Sequence, residues 1–160
     1  MSTERSTVVA RSPLDFMDEL LVDCPRCTGA AIIRTAPPAR PDNRNYDVES
    51  RARRMVCTAC GAVREQPDTP LGQILTPFMG LTPRLRVETR HGTLVAFNAG
   101  HLAYIETWLA GRLRTELEDP RGWVRNRSVI ARLPAWAKAA RNRDEMLAAI
   151  ARTRQSRAPS

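Results

Sequence analysis

Two Cys-x-x-Cys pairs constrain this chain more than anything else in it. They are Cys24-Pro25-Arg26-Cys27 and Cys57-Thr58-Ala59-Cys60, with 29 residues between them, and they hold all four cysteines of a 160-residue sequence. A Cys-x-x-Cys turn sets two sulfurs on one side with backbone amides aimed at them. Two such knuckles brought together offer four thiolates in a tetrahedron, which suits Zn2+ at about 2.3 Å per Zn–S bond. The expectation is one structural Zn2+ held by Cys24, Cys27, Cys57 and Cys60. A closed set of four thiolates leaves no coordination position for a substrate, so the metal would staple the fold rather than catalyse. Its net local charge of about −2 would be offset by the nearby Arg26, Arg34, Arg51, Arg53, Arg54 and Arg64.

Other uses of the cysteines compete. Two disulfides need an oxidising compartment, and residues 1–11 lack the apolar run of a secretory signal, so a cytoplasmic setting is expected. A redox Cys-x-x-Cys stands singly at a helix start in a βαβ setting, whereas these two sit in hairpin-like surroundings. Iron is the strongest alternative, because rubredoxin-like sites use two similar knuckles. Those proteins carry a compact aromatic core, and between its two pairs this chain has only Tyr46.

Around the knuckles the pattern is strand–knuckle–strand. Ala30–Arg34 leaves the first, Arg51–Val56 enters the second and Ala62–Arg64 leaves it, with a Pro- and Asn-bearing loop over 36–50. Before them, Ser12 and Pro13 are start signals, and Leu14, Met17, Leu20 and Leu21 recur at helical spacing, which predicts a short helix over 13–22. The predicted fold is α+β: a small four-cysteine zinc ribbon, then a β-hairpin, then a C-terminal helical region. The predicted layout is a flexible N-terminus (1–12), a short helix plus zinc ribbon (13–66) and a Pro-rich linker (67–83) packing through Leu71, Ile74, Leu75, Phe78 and Met79. A β-hairpin plus helices (84–153) and a flexible tail (154–160) complete it.

In the second half, Leu85, Val87 and Thr89 alternate with charges, and His91-Gly92 turns into a second strand over 93–97. Asn98 caps a helix whose stripe of Leu102, Ile105, Leu109, Leu113 and Leu117 carries it to about Glu118, before Pro120. Two or three helical pieces follow, broken at Pro134, with Asn142 and Glu145 as a capping pair for the last.

Charge is unevenly spread. The chain carries 25 basic and 17 acidic residues, net +8, and residues 119–160 alone are net +7. Such patches attract polyanions. The residues expected to meet phosphate are Arg51, Arg53, Arg54, Arg121, Arg125, Arg127, Arg132, Lys138, Arg141 and Arg143. All but one of the 25 basic residues are Arg, a bias that coding composition explains as well as phosphate recognition does. Trp123 lies among Arg121, Arg125 and Arg127, where it could stack on a base or anchor its loop on the core.

Catalytic patterns are thin. His91, Asn98 and His101 follow the hairpin–helix order of an HNH-type nuclease, but seven and three residue steps leave no room for its loop. No Gly-rich phosphate loop occurs, and the clustered Glu116, Glu118 and Asp119 read as a solvated helix end. A non-enzymatic protein is expected, with no small-molecule substrate and no membrane partner.

Two segments carry a resemblance. His91-Gly-Thr-Leu-Val-Ala-Phe-Asn-Ala-Gly-His-Leu-Ala-Tyr-Ile-Glu, and Leu133-Pro134-Ala135-Trp136 with Lys138, Ala140, Asn142-Arg143 and Glu145, resemble signatures of an uncharacterised bacterial family of transcription-factor-IIB-type zinc-ribbon proteins. Val95 and Phe97 stand where the family more often has Trp and Tyr. The resemblance spans roughly 20–153 and implies a zinc ribbon and nucleic-acid binding. Two roles follow as expectations: an accessory protein binding DNA or RNA through its arginines, or a zinc-stapled protein–protein adaptor. A metal-dependent nuclease is the minor alternative.

Overall fold

The structure is a computed structural model, and it describes residues 5–38, 50–69, 77–120 and 127–157. In chain order its elements are β1 (Arg5–Val9), a 3-10 turn (Pro13–Phe16), β2 (Glu19–Asp23), β3 (Ala30–Thr35), β4 (Arg53–Cys57), β5 (Val63–Gln66), β6 (Leu85–Thr89) and β7 (Gly92–Ala96). Then come α1 (Ala99–Ala110), β8 (Leu113–Leu117), α2 (Val129–Arg132), α3 (Ala135–Lys138), a 3-10 turn (Ala140–Asn142) and α4 (Arg143–Arg157). The mixed α+β character, the clustered cysteines and the C-terminal helix agree with the sequence reading.

The ribbon is a four-stranded antiparallel sheet in the order β2-β3-β4-β5. Leu20, Val22, Ala31, Ile33 and Met55 bury one face together with Cys24, Cys57 and Met79. Leu21 and Ile32 alternate to the opposite face and join the larger core, as the two-residue period of a strand requires. That larger core stacks α1 (Leu102, Ile105, Leu109) and α4 (Met146, Ala149, Ile150) with the β6–β7 hairpin (Leu85, Val87, Leu94, Ala96). The ribbon and the hairpin are joined through main chain: Leu21 N–H donates to Phe97 O (2.7 Å), Asp23 N–H to Thr82 O (2.9 Å) and Arg84 N–H to Leu21 O (3.0 Å). Phe78 and Met79 pack on the ribbon core as expected of the linker, while Leu71, Ile74 and Leu75 lie outside the described residues.

Five expectations are corrected. Within the N-terminus expected to be flexible (1–12), Arg5–Val9 forms a strand: β1 pairs in parallel with β8, burying Ser6 and Val8. The helix expected over 13–22 is one 3-10 turn followed by a strand. The start signals hold, because Ser12 Oγ accepts from Leu14 N–H (3.2 Å) and the Asp15 carboxylate from Ser12 N–H (2.9 Å). Leu20, Leu21 and Val22 then leave helical spacing to pair with Ile33, Ile32 and Ala31 of β3. The helix expected to reach Glu118 stops at Gly111, and Leu113–Leu117 is a strand. Finally, α4 extends to Arg157, whose carbonyl accepts from Arg84 Nε (3.1 Å), so the chain through Arg157 is docked. The capping pair is not seen either. Asn142 Nδ2 donates to Trp136 O (2.9 Å), and Glu145 faces Arg90 (3.1 Å) and His91 (3.5 Å).

Candidate metal centre

The two knuckles are built alike. Cys24 N–H donates to Gly29 O and Thr28 N–H returns to Cys24 O (2.8 and 2.9 Å). Likewise, Cys57 N–H donates to Ala62 O and Gly61 N–H returns to Cys57 O (2.9 and 3.2 Å). Each loop turns through a left-handed residue one place after its second cysteine, Thr28 (φ 61°) in the first and Gly61 (φ 72°) in the second. Backbone amides then aim at sulfur: Arg26 N at Cys24 Sγ, Gly29 N at Cys27 Sγ and Cys60 N at Cys57 Sγ, each 3.4 Å. Such N–H···S contacts stabilise thiolate.

Register brings the knuckles together. Ala31 lies opposite Cys57 across β3 and β4, and Thr58 donates to Ala30 O from both its N–H (3.1 Å) and its hydroxyl (2.9 Å). The four Sγ atoms lie within 4.8 Å of one another, with Cys24–Cys60 at 3.8 Å and Cys27–Cys57 at 3.6 Å. A tetrahedron with bonds of about 2.3 Å has edges of about 3.8 Å, so the donor set fits one Zn2+. Cys24 and Cys57 are buried, and Cys27 and Cys60 face solvent. The amide of Cys60 outweighs burial and lowers the Cys57 thiol to about 6. The Gly29 amide pulls Cys27 down, but its hydrogen bonds with Cys57 and Cys60 push it up to about 12. Without a metal, Cys27 therefore holds its proton far more tightly than Cys57.

The residues expected to meet phosphate divide by placement. Arg51 and Arg53 are buried, and Arg51 Nη1 donates to Ala36 O (3.3 Å). Arg143 is committed to the end of α1, where Nε donates to Ala110 O (3.0 Å) and Nη2 to the same oxygen, while Nη1 meets Asp144 (2.9 Å). Arg54 is exposed beside Glu65 (3.5 Å). Arg127, Arg132 and Arg141 are exposed, and Lys138 is half-buried with Nζ 3.5 Å from Ala131 O. Arg121, Arg125 and Trp123 lie outside the described residues.

The two histidines sit in different surroundings. His101 Nδ1 accepts from Phe97 N–H (3.0 Å), and its ring stacks on Phe16 at 4.9 Å. Burial, helped by Arg11, lowers its pKa to about 4, so it is neutral at pH 7. His91 lies over Trp136 (6.2 Å) beside Glu145. Sequence reasoning missed the charge cluster at Asp23, which meets Arg84 (2.9 Å), Arg86 (3.4 Å) and Arg157 (3.8 Å). Its partners are 61 or more residues away, so no local pattern announces it.

No family model, curated protein or solved structure matches the chain. Among the described residues, no helix is long and apolar enough to cross a membrane.

Proposed function

We propose that this chain is a zinc-stapled, non-enzymatic accessory protein that binds DNA or RNA through the exposed arginines of its C-terminal region. The observation that carries the reading is the sorting of the cations. Arg127, Arg132 and Arg141 are exposed between the approach to α2 and the 3-10 turn before α4, and among the described residues none of them is ion-paired. The same run belongs to the net +7 segment. Zn2+ would be held by Cys24, Cys27, Cys57 and Cys60 and would supply stability to a ribbon too small to fold well alone. The resemblance to transcription-factor-IIB-type zinc-ribbon proteins points the same way.

Two measurements test it. Metal analysis of purified protein should give one zinc per chain and a colourless solution; red protein with visible bands would identify iron instead. Binding to short duplex, single-stranded DNA and RNA should then be titrated between 50 and 200 mM salt. On duplex, each phosphate contact contributes about −0.9 to the log–log salt slope, so Arg127→Ala, Arg132→Ala and Arg141→Ala should each reduce the slope by about one. Absence of binding at low salt to all three ligands would reject the nucleic-acid reading and leave the adaptor role.

A further inference from the structure

The β1–β8 pair is unusual in being a two-stranded parallel sheet laid on α1. Among the described residues, β8 pairs with no strand other than β1. Isolated two-stranded sheets are marginal, and an unpaired strand edge invites another strand. Leu117 O accepts from Ala10 N–H (2.8 Å), which turns the main-chain groups of Leu113, Thr115 and Leu117 towards β1. Because these groups alternate along a strand, those of Arg114 and Glu116 point to the open edge. The outer face of the pair carries Val9, Leu113 and Leu117, each about half exposed (48%, 48% and 49%).

The sequence of this edge is its own complement. Arg112-Leu113-Arg114-Thr115-Glu116-Leu117-Glu118, set antiparallel to a second copy about Thr115, places Arg112 opposite Glu118, Leu113 opposite Leu117 and Arg114 opposite Glu116. Thr115 falls opposite itself. The hydrogen-bonding phase agrees: the axis passes through a non-hydrogen-bonded Thr115 pair, and the flanking Arg114–Glu116 pairs exchange main-chain bonds. Within one chain, Arg114 is held by Gly111 O (2.9 Å from Nε) and Lys138 O (3.0 Å from Nη1). The antiparallel register sets the second copy's Glu116 opposite it. On the outer face, the row Val9–Leu117 of one copy continues into Leu113 of the other.

We propose that β8 is a dimerisation edge: two copies pair antiparallel through Arg112–Glu118 about a two-fold axis at Thr115, making a four-stranded sheet β1-β8-β8-β1. An isologous contact of this kind closes after two subunits. Charge alternation within the edge, rather than along the whole surface, sets the register and selects a second copy over an unrelated strand.

The test uses the zinc-loaded full chain. Sedimentation equilibrium should show a monomer–dimer equilibrium at concentrations up to about 100 µM, within the range of weak homodimers. Arg112→Glu and Glu118→Arg each set like charges opposite one another twice per dimer. Each should weaken association about tenfold, and an equimolar mixture of the two should recover it as a heterodimer. On an otherwise native chain, Thr115→Cys should form a symmetric interchain disulfide under oxidised glutathione while the parent chain does not, since non-hydrogen-bonded pairs lie within disulfide reach at about 4.5 Å between Cα atoms. A monomer throughout that range would overturn the proposal, as would a dimer indifferent to both charge reversals or a Thr115→Cys chain that does not cross-link. Capture of a different protein's strand by a chain that stays monomeric would overturn the choice of a second copy.

Discussion

Thr28 and Gly61 occupy equivalent places in the two knuckles, and both have left-handed backbone. Glycine adopts that conformation freely, whereas a β-branched residue there carries a cost of order 1–3 kcal/mol. Thr28 recovers part of it through its hydroxyl, which donates to Cys27 O (2.6 Å). Thr28→Gly is therefore expected to stabilise the zinc-loaded protein by about 1 kcal/mol, read as a raised denaturant midpoint. His101 sets a second expectation. Its folded pKa of about 4 lies below the ordinary 6.5, so at acid pH the unfolded chain takes up a proton that the folded one refuses. The stability of the neutral form is complete above pH 6.5 and is lost as the pH falls towards 4, by about 3 kcal/mol. Urea titrations at several pH values should show this loss in the parent and not in His101→Phe, with any acid release of zinc common to both.

At the scale of elements, Leu113 and Leu117 show why an end was misread. A spacing of four residues satisfies a helical stripe and an alternating strand equally, so Leu109, Leu113 and Leu117 look like one helix face. At the helix end β1 approaches closely. A Cβ on Gly111 would lie 2.3 Å from Ser6 Cβ and 2.5 Å from Ser6 N, and Arg143 takes the carbonyl of Ala110. Gly111→Ala must therefore push β1 away. It should cost about 2–3 kcal/mol, with hydrogen-exchange protection lost first in Arg5–Val9. The knuckles, the β6–β7 hairpin and the Asn98 cap on His101 N–H (2.9 Å) were all legible, because each is decided within a few residues. β1 was not, since its partner lies more than 100 residues along the chain.

For the whole molecule, Asp23 ties ribbon to body. It sits at the end of β2, against Arg84 and Arg86 of the hairpin region and Arg157 of α4. With most of the carboxylate covered, Asp23→Asn removes charge-assisted bonds and leaves three guanidinium groups together. A loss of about 2 kcal/mol is expected in global urea unfolding, with zinc still bound, because the thiolate set is untouched.

The sequence by itself determined the four-cysteine cluster, the strand–knuckle–strand ribbon and the hairpin, since cysteine spacing, turn chemistry and short-range alternation are local properties. Only the tertiary structure decided which arginines face inward, that Arg5–Val9 is a strand, and that β8 has an open edge among the described residues. Those outcomes depend on what distant segments cover: a guanidinium such as that of Arg53 reads identically in sequence whether the folded chain leaves it in water or closes over it.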